Sequence, residues 1–129
     1  MENKIDKQFF KTLEIKVLDK EFYVVKSNKF YPEAFANIKA SDLYTVVIDK
    51  NKFSKKDILE TKKVFKIIQF ETIIPFNLIG FIAEIANTLA KENISILVIS
   101  SYSTDHILVE KKDIGRTLKA FKKLGVKIR

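Results

Sequence analysis

The chain contains no cysteine, no tryptophan, a single histidine, three glycines and two prolines in 129 residues. The missing cysteines exclude a disulfide framework, a thiol nucleophile and thiolate-bound zinc. A lone histidine, His106, excludes a histidine metal cluster, and no acidic loop has the ligand spacing of a calcium site. No apolar run approaches the roughly 18 residues of a membrane span. The longest apolar-rich segment, "LIGFIAEIANTLA", is broken by Glu84, Asn87 and Thr88. The opening "MENKIDKQFF" lacks the apolar centre of a signal peptide. The expectation is a cytoplasmic protein with no metal, no cofactor and no membrane contact.

What is present suits a packed core: 47% of residues are hydrophobic and 31% charged. The length allows one compact unit or two very small ones. The formal net charge is +8, which raises the question of nucleic-acid binding. The excess is evenly spread, however: residues 1–64 hold 14 basic against 10 acidic side chains, and residues 65–129 hold 10 against 6. A nucleic-acid surface gathers its charge into a stripe or patch. The even spread reads as a lysine-rich solvated surface, with Lys119, Lys122 and Lys123 on one exposed helix face.

The second half is the more legible. "VFKIIQF" (64–70) is short, apolar and β-rich, and predicts a strand. The loop "ETIIPFN" follows. "LIGFIAEIANTLAKEN" then places Leu78, Ile82, Ile85 and Leu89 at helical spacing, with Asn77 as N-cap and Asn93 suited to the C-terminal end. "ISILVISSY" (94–102) and "HILVEK" (106–111) predict two strands joined by a turn at "STD". "DIGRTLKAFKKLG" predicts a helix with Asp113 as N-cap, Gly125 as the residue after its end, and an apolar stripe of Ile114, Leu118, Phe121 and Leu124. "VKI" closes as a strand. The order strand, helix, strand, strand, helix, strand is the split βαβ pattern, in which two helices cover one face of a four-stranded antiparallel sheet.

The first half predicts strands without a long helix. "LEIKVL" (13–18) and "EFYVVKS" (21–27) read as a hairpin across Asp19 and Lys20. "NKFYPE" reads as a turn or short helix. "AFANIKA" (34–40) and "LYTVVID" (43–49) read as a second hairpin turning at Ser41 and Asp42. A polar connector follows, with one helical turn at 55–59. Such a unit cannot bury both faces of its own sheet and needs the second half or another subunit as cover.

The segment "FETIIPFNLIGFIAEIANTLAKENISILVISSYSTDHILVEKKDI" carries a recognisable combination. Phe76, Leu78 and Gly80 stand at the start of the first helix. "ISI" follows, then Ser100 and Thr104-Asp105 leading into "ILV", and then the "DIGRTLKAFKKLG" helix. From about Leu43 onward the chain resembles small bacterial proteins with two ACT domains in one chain, similar to the paired regulatory ACT domains of aspartate kinases. Pro75, Asn77 and His106 stand where family members more often carry Asp, Ser and Tyr. The resemblance implies an α+β fold: a complete ferredoxin-like βαββαβ ACT unit at 63–129, preceded by an abbreviated strand-rich ACT-like unit at 1–62. It also implies a non-catalytic regulatory module that binds an amino acid, forms a homo-oligomer and acts through an unidentified protein partner.

An amino acid needs partners for its carboxylate and its ammonium group. The N-terminus of a helix supplies free amides and the positive end of a dipole. That assigns the carboxylate to Asn77, Leu78, Ile79 and Gly80, where Gly80 permits close backbone approach. Asp105 is the ammonium acceptor, and Ser101, Ser103 and Thr104 supply neutral hydrogen bonds. Each element also has an ordinary structural role: Asn77 as a cap, Gly80 as a packing position, "STD" as hairpin-turn chemistry, Tyr102 as core or interface packing, and His106 as a strand-end side chain. The turn and the helix start could lie at different ends of the strands in a single unit, in which case a tandem or dimeric pairing would join them.

Two other functions fit less well. An RNA-recognition sheet stacks bases on exposed aromatics of its central strands, yet Phe65 and Phe70 fall on opposite faces. A phosphate-cleaving enzyme on this fold needs a cation before the first helix, and "ETIIPFN" has none. A structural, partner-binding domain with no ligand is the closest alternative.

Overall fold

The computed structural model describes residues 3–4, 8–54, 58–75 and 78–129, with the backbone alone for 3–4 and 58–62. It separates into two compact units. One comprises Met1–Leu18 with Ile67–Arg129, and the other Asp19–Lys66. Residues 1–18 therefore group with the second half of the chain rather than with the first.

In the larger unit, β1 (Asn3–Lys4) pairs in parallel with β7 (Leu78–Ile79). The strands β2 (Glu14–Val17), the C-terminal end of β6 (Ile58–Phe70), β8 (Ile96–Ser100), β9 (Asp105–Glu110) and β10 (Lys127–Ile128) form the main sheet, with helices α1 (Phe81–Ala90) and α2 (Ile114–Lys123). The strand order is β10-β2-β6-β9-β8. This is the ferredoxin-like arrangement with one addition. Strand β2 lies between β10 and β6, parallel to β10 (Ile15 opposite Ile128) and antiparallel to β6 (Ile15 opposite Phe70). Among the described residues, the expected four-stranded antiparallel sheet thus has five strands and one parallel pairing. The expected hairpin of 13–18 with 21–27 does not form, because the amides and carbonyls of β2 are taken up by strands more than fifty residues away in sequence. The Glu71 amide donates to Glu14 O at 2.8 Å and the Lys127 amide to Leu13 O at 2.9 Å.

One face of this sheet carries the core. Ile15, Ile68, Phe70, Ile107 and Val109 meet Phe81, Ile85 and Leu89 of α1 and Ala120 and Phe121 of α2. Phe70 sits edge-on to Phe81 with ring centres 5.0 Å apart and 6.3 Å from Phe121. Burying side chains of this size stabilises by roughly 1.5–3 kcal/mol each. The α2 stripe differs slightly from the expected one. Phe121 is buried, whereas Ile114, Leu118 and Leu124 are half-buried against the same core.

Both helices end in the same way. At α2, Gly125 has φ +94°, its amide donates to Lys122 O, and the Val126 amide reaches back to Phe121 O at 3.1 Å. At α1, Asn93 has φ +57° and the Ile94 amide reaches Leu89 O at 3.0 Å. These left-handed terminations satisfy the last carbonyls and turn a buried apolar residue back into the core. The helix starts depart from expectation. Asp113 occupies the N-cap position of α2 without a side-chain cap bond. Its carboxylate instead pairs with Arg116 at 2.6 Å. Helix α1 begins at Phe81, with Gly80 in its N-cap position at φ +94°. Leu78 and Ile79, expected in its first turn, are strand. Asn77, the expected cap, lies outside the described residues.

The smaller unit has β3 (Phe22–Ser27), β4 (Ala36–Ala40), β5 (Leu43–Asp49) and the first part of β6, in the order β6-β3-β5-β4. The expected β4–β5 hairpin is present, with Ala40 opposite Leu43 and Ser41 at φ +57°. Residues 31–34 form a turn closed by the Ala34 amide on Tyr31 O at 3.1 Å. Apart from a short 3₁₀ turn at Lys50–Lys52, this unit has no helix among the described residues. Val25, Val46 and Ile48 bury on one face of the sheet with Tyr23 and Phe53 around them. Of the helical turn expected at 55–59, residues 55–57 lie outside the described residues and 58–59 are strand.

Candidate functional site

A cavity of about 390 Å³ opens in the larger unit. Ile74, Pro75, Leu78 and residues 80–83 line one side, and residues 100–105 line the other. The helix start and the turn therefore meet within one unit. The reason is topological. A helix that leaves one strand and returns to another sends both strands in the same direction. The end of β6, the start of α1 and the end of β8 then lie together, and the β8–β9 turn joins them.

The turn is built by its own polar groups. Ser100 pairs with Asp105 across the hairpin. The Ser101 amide and hydroxyl both donate to Thr104 O, at 2.9 and 2.8 Å. Ser101 thus closes the loop, and Ser100, Tyr102, Ser103, Thr104 and Asp105 line the cavity beside it. On the opposite wall, the Glu84 amide donates to Gly80 O at 3.0 Å as the first helical bond. The amides of Phe81, Ile82 and Ala83 precede that bond and have no carbonyl within the helix. Gly80 achieves this turn because its left-handed backbone is unfavourable for a residue with a Cβ.

Of the residues singled out in the sequence, Leu78, Gly80, Ser101, Ser103, Thr104 and Asp105 line this cavity. Ile79 is 48% exposed and is not among the lining residues. Sequence reasoning did not include Ile74, Pro75, Phe81, Ile82, Ala83, Ser100 or Tyr102. Tyr102, read as packing, is 85% exposed at the cavity rim. Alternation within β9 would have separated Asp105 from its neighbour. His106 is 8% exposed and its Nε2 lies 3.0 Å from Gln69 Oε1. Burial pushes its pKa below the usual histidine value, partly opposed by a hydrogen bond with the Ile99 backbone and the charge of Asp105.

A smaller cavity of about 240 Å³ lies in the other unit beside Val24, Leu43 and Tyr44. No group of His, Asp or Glu side chains arranged to hold a metal occurs among the described residues. No described helix is long and apolar enough to cross a membrane.

The ACT domain family matches residues 60–123. No curated protein matches the chain. Among solved structures, a Vibrio cholerae protein of unknown function, described as a possible transport protein, superposes with a TM-score of 0.78 at 21% identity, over 92% of this chain and 94% of its own. An Agrobacterium tumefaciens protein gives 0.75 at 17% identity, over 91% and 92%. The aspartate kinase of Clostridium acetobutylicum, described as an allosteric enzyme, gives 0.61 at 15% identity, over 85% of this chain and 34% of the kinase. At these identities the likeness is one of fold. The sequence match and the ferredoxin-like topology agree on the same segment: residues 60–123 of this chain are an ACT domain.

Proposed function

We propose that the chain is a non-catalytic regulatory module that binds an amino acid in the cavity between the start of α1 and the β8–β9 turn. The observation that carries this reading is the 390 Å³ cavity shared by the two segments, a volume within the roughly 300–1,000 Å³ of small-molecule sites. The ligand carboxylate docks on the amides of Phe81, Ile82 and Ala83, where the helix dipole favours negative charge. Asp105 accepts the ammonium group, and Ser103 and Thr104 complete the polar rim. Gly80 keeps the backbone accessible. Asn77, Leu78 and Ile79 belong to the segment that leads into this helix.

Regulation requires the ligand to favour one arrangement of the molecule or its partners over another. Strand β8 offers a place for such coupling. Among the described residues it pairs with β9 alone, it carries no charged side chain, and Leu97 and Val98 are 42% and 39% exposed. Natural edge strands are usually guarded by charge. A homodimer across this edge would bring a second copy up to the end of β8, beside the cavity rim. The same edge supports the second reading, a structural ACT dimer or a docking domain for another cytoplasmic protein, with no ligand.

A thermal-shift screen against the proteinogenic amino acids separates the two. A ligand at 100 times its Kd adds about 2.7 kcal/mol, on the order of 10 °C for a chain of this size. Asp105→Ala should abolish that shift and leave the unliganded melting temperature unchanged. Silence from every amino acid would reject the sensor reading in favour of the structural one.

A further inference from the structure

We infer that the cavity selects neutral amino acids with an apolar side chain and rejects acidic ones, a specificity that rests on the sensor reading above. The chain has 24 lysine and arginine residues, yet none is among the described residues that line this cavity. Asp105 is the one charged residue among the described residues that line it. The helix start provides one place for one carboxylate. A second carboxylate on the ligand would find no cation among the described lining residues, and it would lie near Asp105. Like charges brought together lower affinity.

The remaining wall has a different chemistry. Ile74, Pro75, Leu78, Phe81 and Ile82 are apolar lining residues beside the hydroxyl-rich turn. Phe81 is 3% exposed and held edge-on by both Phe9 and Phe70, so it makes a rigid floor. Ile74, Leu78 and Ile82 are half-buried and pack on the same core. An aliphatic or aromatic ligand side chain laid on this wall gains from covering it. A lysine or arginine side chain gains less, because Asp105 already answers the α-ammonium group and no second anion is among the described lining residues. Ile82 is therefore the specificity-determining position, since it lines the cavity from the first turn of α1.

The test is calorimetric titration of the full chain with leucine, isoleucine, methionine and phenylalanine, then with glutamate and aspartate, then with lysine. The expected result is binding by at least one member of the apolar set and an affinity for glutamate about 100-fold weaker or undetectable. Ile82→Lys should reverse the order, gaining glutamate binding and losing the apolar ligand, with the fold checked by circular dichroism. If glutamate or lysine binds the native chain most tightly, the specificity is wrong while the site stands. If no amino acid binds, both are wrong. If Ile82→Lys folds and keeps the native preference, the apolar wall does not set the specificity.

Discussion

His106 Nε2 lies 3.0 Å from Gln69 Oε1, one residue behind the charged side chain of the cavity. Gln69 in turn donates through Nε2 to Glu71 Oε2 at 3.0 Å, and Arg129 Nη1 donates to Glu71 Oε1 at 3.0 Å. The orientation of the Gln69 amide fixes His106 as the donor at Nε2. A line of polar side chains thus runs across the sheet from β9 to the residue that follows β10.

Burial holds the His106 pKa below the ordinary 6.5, and this has a consequence for stability. The unfolded chain binds a proton more readily than the folded one, so the stability contributed by neutral His106 is present above the unfolded pKa. It is lost as the pH falls through 6.5 toward the lower folded value. The denaturant midpoint should therefore be lower at about pH 5.5 than at about pH 7.5, a window in which histidine is the side chain that changes charge. His106→Gln should flatten the difference. A midpoint that rises on acidification would contradict the burial argument.

The glycines of α2 and its terminus should respond in opposite directions to alanine. A Cβ at Gly125 would sit 3.0 Å from Lys11 Cγ, at a backbone φ of +94°. Gly125→Ala should cost about 1–2 kcal/mol. Gly115 lies within the helix, and a Cβ there meets nothing within 4 Å. Gly115→Ala should stabilise by about 0.5–1 kcal/mol. Thermal or urea unfolding of the two variants measures both signs.

Phe121 is fully buried, and its ring lies 6.3 Å from that of Phe70. Phe121→Ala should destabilise by about 3–5 kcal/mol. Lys122 follows it on the exposed face, and Lys122→Ala should stay within about 0.5 kcal/mol of the native chain. Equal losses at the two positions would mean that α2 does not pack as described.

The position of β2 makes a prediction about dissection. Ile15 is fully buried between Ile128 and Phe70. A fragment of 63–129 lacks that strand, so it exposes one side of β6 and leaves β10 without its partner. It should melt far below the full chain or without cooperativity, and restoring residues 8–18 as a separate peptide should raise its melting temperature. A fragment that melts like the full chain would remove β2 from any structural role.

That strand also marks the limit of what the sequence shows. Local periodicity was sufficient for α2, for the Gly125 termination and for the β4–β5 hairpin, because each is specified by residues within about ten positions of one another. The stretch "LEIKVLDKEFYVVKS" has the pattern of a hairpin, with Asp19 and Lys20 as its turn. Pairing partners are chosen by tertiary packing, which alternation cannot encode. The start of α1 was misplaced for a related reason. Asn77 is the better cap by residue type, but Gly80 takes the left-handed conformation that actually begins the helix. Gly80, Ser101, Ser103, Thr104 and Asp105 were named as candidates from glycine, hydroxyl and carboxylate chemistry together with the family resemblance. The apolar wall was not, because Ile74, Phe81 and Ile82 look like core residues until the cavity beside them is seen.

Backbone amide NMR of the labelled chain, titrated with the amino acid that gives the largest thermal shift, tests the site most directly. The expected result is that the largest chemical-shift changes fall on Phe81, Ile82 and Ala83 and on residues 100–105. Changes centred on Val24, Leu43 and Tyr44 instead, or no changes at all, would contradict the placement of a ligand at the start of α1.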